Sequence, residues 1–160
     1  APSIIENMSM STRPPLTPSL TRAHLPAAAA VLWGLLVAAG RASNSGGYFW
    51  ENFAFYWLPQ ALILGLLLLT RPPLALFTGV ALALSAHLQL MSLWISSPID
   101  VMGWLFYLFD FPGALIGTLI ARYQARRMAP GRWFKGFLSG FAWVATGLLM
   151  NFLLVMFTQR

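Results

Sequence analysis

The sequence predicts an all-α fold: a polytopic bundle of about five transmembrane helices in one domain over 24–160. The N-terminus is expected in the cytoplasm and the C-terminus outside, with the fourth span broken or kinked near Asp110-Pro112. Three observations carry this. Of 160 residues, 58% are hydrophobic and only 9% charged, where a soluble domain carries about 25% charged residues. Apolar runs near or above the roughly 18 residues that cross a bilayer recur along the chain. Basic residues gather at alternate ends of those runs, which sets orientation.

Residues 1–23 read as a cytoplasmic tail. The first seven, APSIIEN, precede Met8 and are set aside from fold reasoning, and STRPPLTPSL is too rich in Pro, Ser and Thr to build a core. The first span is expected over 25–40, LPAAAAVLWGLLVAAG, short at roughly 24 Å. Arg22 ahead of it fits a retained signal-anchor, and a cleaved signal peptide is the weaker alternative. The second span is expected over 52–70 and the third over 73–95, joined by a tight Arg71-Pro72-Pro73 turn. The fourth, 98–121, opens on Ser97-Pro98-Ile99-Asp100, a cap, a first-turn proline and an acid in the order that starts helices. The fifth is expected over 134–157.

With the N-terminus inside, Arg13, Arg22, Arg71, Arg122, Arg126, Arg127, Arg132 and Lys135 lie in the cytoplasm, and only Arg41 and Arg160 lie outside. The net charge of +6 therefore points to headgroups and topology, not to nucleic acid. Aromatic residues crowd the outer side, in YFWENFAFYW and at Trp94, Trp104 and Tyr107. Trp50, Trp57, Trp94 and Trp104 read first as an interfacial belt. A groove for a lipid, a quinone or a partner helix is the sharper reading.

Lipid gives helices no hydrophobic reason to associate, so small residues that let backbones approach carry weight. Gly113 and Gly117 in the fourth span and Gly136 and Gly140 in the fifth form two GxxxG pairs. Counted from the loop between them they share depth, and the two spans are expected to cross there. Ala30, Gly34 and Ala38 make a small-residue stripe in the first span.

One carboxylate, Asp110, stands in the apolar run LFYLFDFPGALIG. Counting residues puts it close to mid-membrane, where an ionised group is costly and should face protein or water, or carry a proton. Counting from the connecting turns also brings His87 within about one helical turn of it, roughly 6 Å. Thr146 falls level with Asp110, and Gln60 level with Ser85. An intramembrane polar layer of Gln60, Ser85, His87, Asp110 and Thr146 follows. Pro112 cannot donate to the carbonyl four residues back, and Pro59 is a second such point. The leading expectation is that Asp110 caps the restarted half-helix. A structural bond to His87 and a proton or solute site are the other readings. His87 alone reads first as a hydrogen-bonded core residue, and His24 as interfacial.

Catalytic sets are hard to assemble. There are four acids, Glu6, Glu51, Asp100 and Asp110, no cysteine, and one lysine, Lys135, at the membrane edge. No HExxH, G-x-x-x-x-G-K-[ST] or GxSxG occurs. The expectation is a protein that is not an enzyme, with no cofactor and no metal. The leading expected role is helix–helix contact in a bacterial inner membrane, as a small subunit of a complex or a protector against a membrane-acting toxin. Its partners would be the bilayer and another membrane protein or further copies of itself. The rival is a small proton-coupled transporter or channel using Asp110 and His87.

Overall fold

The structure, a computed structural model, describes residues 19–45, 47–95, 101–128 and 132–158. The tail up to residue 18, the Ser97-Pro98-Ile99-Asp100 start signal and Arg160 lie outside the described residues. All regular structure among the described residues is helical: α1 (Ser19–Ser43), α2 (Phe49–Leu69), α3 (Leu74–Trp94), α4 (Val101–Phe109), α5 (Phe111–Ala125) and α6 (Trp133–Thr158). They supply five stretches long and apolar enough to cross a membrane, with α4 and α5 together making one. The chain is a multi-pass membrane protein. Inner and outer here denote the ends that the charge bias assigns to the cytoplasm and to the opposite side.

The first span is longer than the apolar run alone suggests. Helix α1 continues back through Pro26 and His24, so the stretch His24–Ser43 has 20 residues, about 30 Å and enough for the hydrocarbon core. Helix α2 runs unbroken through Pro59, so the second expected interruption does not occur. Its end is a left-handed turn: the Thr70 and Arg71 N–H groups bond the Leu67 and Leu68 carbonyls at 3.0 and 2.9 Å, and Arg71 takes φ 50°. Pro72 and Pro73 then prevent the helix from continuing.

Helix α3 is the centre of the bundle, touched by α1, α2, α5 and α6. Small residues set how closely each neighbour comes. Ala30, Gly34 and Ala38 are buried on α1, where the Ser85 hydroxyl of α3 donates to the Ala30 carbonyl at 2.8 Å. A Cβ on Gly79 would collide with the Phe137 carbonyl, and one on Gly140 would stand 2.5 Å from the Leu76 carbonyl. The inner halves of α3 and α6 are therefore in backbone contact. Because Gly79 meets Phe137 and Phe141 while Trp94 meets Phe152, the two helices run parallel.

The expected pairing of glycines is corrected. Gly113 and Gly117 do not meet Gly136 and Gly140; they pack on Gly147 and Trp143 of α6, while Gly136 and Gly140 pack on Ala75, Leu76 and Val80 of α3. One face of α6 thus serves two neighbours, α3 in its inner half and α5 further out. Gly113 opposite Gly147 and Phe109 opposite Asn151 fix the register of the α5–α6 hairpin.

Two arginines close the ends of helices. The Arg122 guanidinium donates to the Thr70 carbonyl at 2.7 Å and to its hydroxyl at 3.0 Å, finishing α2 at the inner end. Arg41 donates to the Ser92 hydroxyl, to the Ser92 carbonyl and, at 2.5 Å, to the Ile95 carbonyl, finishing α3 at the outer end. Cations there satisfy free carbonyls and complement the helix dipole.

Candidate functional site

Between the inner glycine contact and the outer Trp94–Phe152 contact, α3 and α6 leave a gap. Beyond Ala83, the side chains of His87, Leu90 and Met91 on α3 face Ala145, Leu148 and Phe152 on α6 across a cavity of about 260 Å³. Asp110, at the α4–α5 junction, also lines it. Leu90 and Leu149 both line the cavity and are exposed on the outside of the bundle, so it opens sideways between α3 and α6.

Asp110 is 1% exposed. Its Oδ2 lies 3.4 Å from His87 Nε2, yet neither carboxylate oxygen nor that ring nitrogen makes a hydrogen bond among the described residues. Counting from the helix midpoints, both residues sit about 4–5 Å outward of centre, which shifts the expected mid-membrane position by one turn.

The expected capping role does not hold. Asp110 has helical φ and ψ of −76° and −17°, and its side chain makes no cap bond. The backbone passes the junction almost undisturbed: Asp110 N–H bonds the Phe106 carbonyl and Ala114 N–H bonds the Asp110 carbonyl, both at 3.1 Å. Phe111-Pro112 open α5, where a missing N–H costs little. The Phe109 carbonyl beside the junction is met from another helix, by the Asn151 amide. The junction therefore stays helical in its backbone and is tethered to α6 at the Phe109 carbonyl, and the carboxylate takes no part in capping.

The polar layer divides in two. His87 stacks on Tyr107, with ring centroids 5.6 Å apart and planes 16° from parallel. The Tyr107 hydroxyl donates to the Tyr56 carbonyl at 2.6 Å and accepts from the Gln60 amide at 3.1 Å. Gln60 and Ser85 meet at the level of Gly34, where a Cβ would approach both side chains. Thus Asp110, His87, Tyr107 and Gln60 form one chain of polar neighbours, and Ser85 instead ties α3 to α1. Thr146 is outside the layer: it is exposed, and the α5–α6 register puts Met150, one turn further along, level with Asp110.

The aromatic surface also divides. Trp50 and Trp94 are exposed and Trp57 is half-buried. Trp104 is buried against Tyr56, at 4.5 Å between rings, with Arg41 over its face at 5.5 Å. Tyr107, grouped with the belt by sequence, is fully buried beside the candidate pair. Its spacing of three residues from both Trp104 and Asp110 places it on the inward face of α4.

Chemically, the site offers two acceptor oxygens with no hydrogen bond among the described residues, and an imidazole 3.4 Å from one of them, at the wall of an apolar cleft. No third His, Cys, Asp or Glu among the described residues joins them as a metal set. No protein-family model matches the chain, and no curated protein and no solved structure matches it either.

Proposed function

We propose that the protein is a small, non-catalytic, proton-coupled transporter of a bacterial inner membrane, with Asp110 and His87 as its polar centre. One observation carries this reading: both Asp110 oxygens are buried and accept no hydrogen bond among the described residues, while Asp110 lines a cavity. A buried polar group without partners is costly, and inside a membrane an ionisable one marks a pathway or ligand site. The cap role that would have explained Asp110 structurally is absent. The neighbouring imidazole supplies a second proton-accepting group within 3.4 Å.

The contact-only role, as a complex subunit or toxin protector, has no comparable site among the described residues. The exposed leucines of α2 and α6 suit lipid and a partner helix equally, because both are apolar.

The test uses purified protein in pyranine-loaded vesicles under an imposed inward proton-motive force. Proton entry is followed alone and with octanoate, octanol or octyltrimethylammonium. The native chain is expected to admit protons in at least one condition, and Asp110→Asn in none. Asp110→Leu should fold as well as Asp110→Asn, since no cap bond is lost. Equal proton entry for native and Asp110→Asn protein in every condition sinks the proposal.

A further inference from the structure

We infer that the α3–α6 cavity takes the head of a protonated lipophilic amine, which enters sideways from the membrane and places its ammonium on Asp110. This deepens the transporter reading and rests on the same pair. Four observations lead to it. Neither Asp110 oxygen accepts a hydrogen bond among the described residues, with His87 Nε2 standing 3.4 Å from one of them and the Asn151 amide close by, so the complementary group is a donor, and a cationic one gains most from a carboxylate. Apart from His87, the rest of the wall is apolar or aromatic, from Met91 and Leu148 to Phe141 and Phe152, which selects a hydrocarbon body. The mouth lies between Leu90 and Leu149 on the lipid-facing surface, so the ligand partitions into the bilayer first. The size, about 260 Å³, exceeds the roughly 150 Å³ that accepts a benzene but falls below the 300–1,000 Å³ of most drug-sized pockets. It holds a head and the first carbons, and the tail remains in lipid.

No arginine or lysine among the described residues pairs with the carboxylate; the only cation-capable neighbour is His87. The titratable groups facing Asp110 are His87 from α3 and Tyr107 from α4, whereas α6 offers Leu148, Phe152 and the neutral Asn151. A proton on this pair and an ammonium therefore compete for one negative charge. Each weakens the other's binding by the same factor, as linkage requires. Competition of this kind is what an exchanger of protons for organic cations needs.

Asp110 lies nine residues below the start of α4 at Val101, about 13 Å along the axis. That depth favours a free amphiphile over the headgroup amine of a phospholipid. Either source carries the same ammonium chemistry, and the lipid composition separates them.

The experiment measures binding of octylamine and of octanol, matched in chain length, to the full protein in phosphatidylglycerol nanodiscs at pH 8, by thermal shift and competition. Octylamine is expected to bind about tenfold or more tighter than octanol. That preference should vanish in Asp110→Asn and shrink on acidification, with octanol unaffected. Ala145→Phe, which fills the cavity and leaves the carboxylate intact, should remove both ligands. Equal binding of the two probes, an amine preference that persists in Asp110→Asn, or full binding by Ala145→Phe each overturns the inference. Displacement of octylamine by added phosphatidylethanolamine supports the ammonium site and identifies a membrane lipid as its source. Amine binding with proton entry indifferent to Asp110 would retire the transporter reading and leave this site standing.

Discussion

Gly140 and Gly136 sit one turn apart on the same helix, and their alanine variants should move stability in opposite directions. A Cβ at Gly140 would stand 2.5 Å from the Leu76 carbonyl oxygen and 3.2 Å from the Val80 nitrogen. Heavy atoms rest at about 3.5–4.0 Å, so α6 must retreat from α3 by about 1 Å. Both obstacles are backbone atoms of a central helix and cannot rotate aside. Overpacking of this kind costs about 1–3 kcal/mol, offset by at most about 1 kcal/mol of better helix propensity. A net loss of up to about 2 kcal/mol is expected for Gly140→Ala even with the full propensity offset. At Gly136 the nearest obstacle is the Ala75 Cβ at 3.4 Å, an ordinary contact. Gly136→Ala should therefore be neutral or gain up to about 1 kcal/mol. The assay is reversible unfolding in mixed micelles, followed by circular dichroism and tryptophan emission. If Gly136→Ala costs as much as Gly140→Ala, the backbone contact between α3 and α6 does not have the geometry described.

Two further substitutions test the polar framework. Tyr107→Phe deletes the hydroxyl that the Tyr56 carbonyl and the Gln60 amide share; leaving them unmatched should cost about 1–3 kcal/mol. The same unfolding assay should show part of that loss recovered in the Tyr107→Phe, Gln60→Leu double variant, because the orphaned amide is then gone. Asn151→Leu removes the amide that meets the Phe109 carbonyl. It should also lose about 1–3 kcal/mol, with faster amide hydrogen exchange concentrated at the α4–α5 junction.

The spans themselves were readable from residue types, because the length of an apolar run measures membrane thickness directly. Depth was readable too: counting from the turns brought His87 and Asp110 together, and they touch. Rotation about each helix axis was not. In a soluble helix the apolar side faces inward, but in lipid both sides are apolar. On α2, Leu64 and Leu67 are buried while Leu62 and Leu66 are exposed, and nothing in the residue type separates them. The same blindness put Thr146 in the polar layer and Trp104 on the surface. The register differs by one turn from a symmetric hairpin because the α5–α6 connection is not centred between the two helices. Proline two residues beyond Asp110 suggests a break that needs a cap, whereas the backbone there stays helical, no cap bond forms, and the neighbouring Phe109 carbonyl is met by Asn151 from a distant part of the sequence.

Helix α6 is translated after every helix it packs against, and this sets the order in which the site comes into being. Until α6 enters the membrane, Gly79, Gly113 and Gly117 have no backbone to close on, the Phe109 carbonyl lacks its amide, and one wall of the cleft is missing. Asp110 then borders lipid, where insertion scales assign an aspartate about 2.5–3.5 kcal/mol of penalty. Arrival of α6 shields that carboxylate, so the residue proposed to bind the solute also rewards correct placement of α6. Chains halted before residue 133 would hold four spans and no pocket, leaving the insertion machinery an unshielded acid by which to recognise them as unfinished.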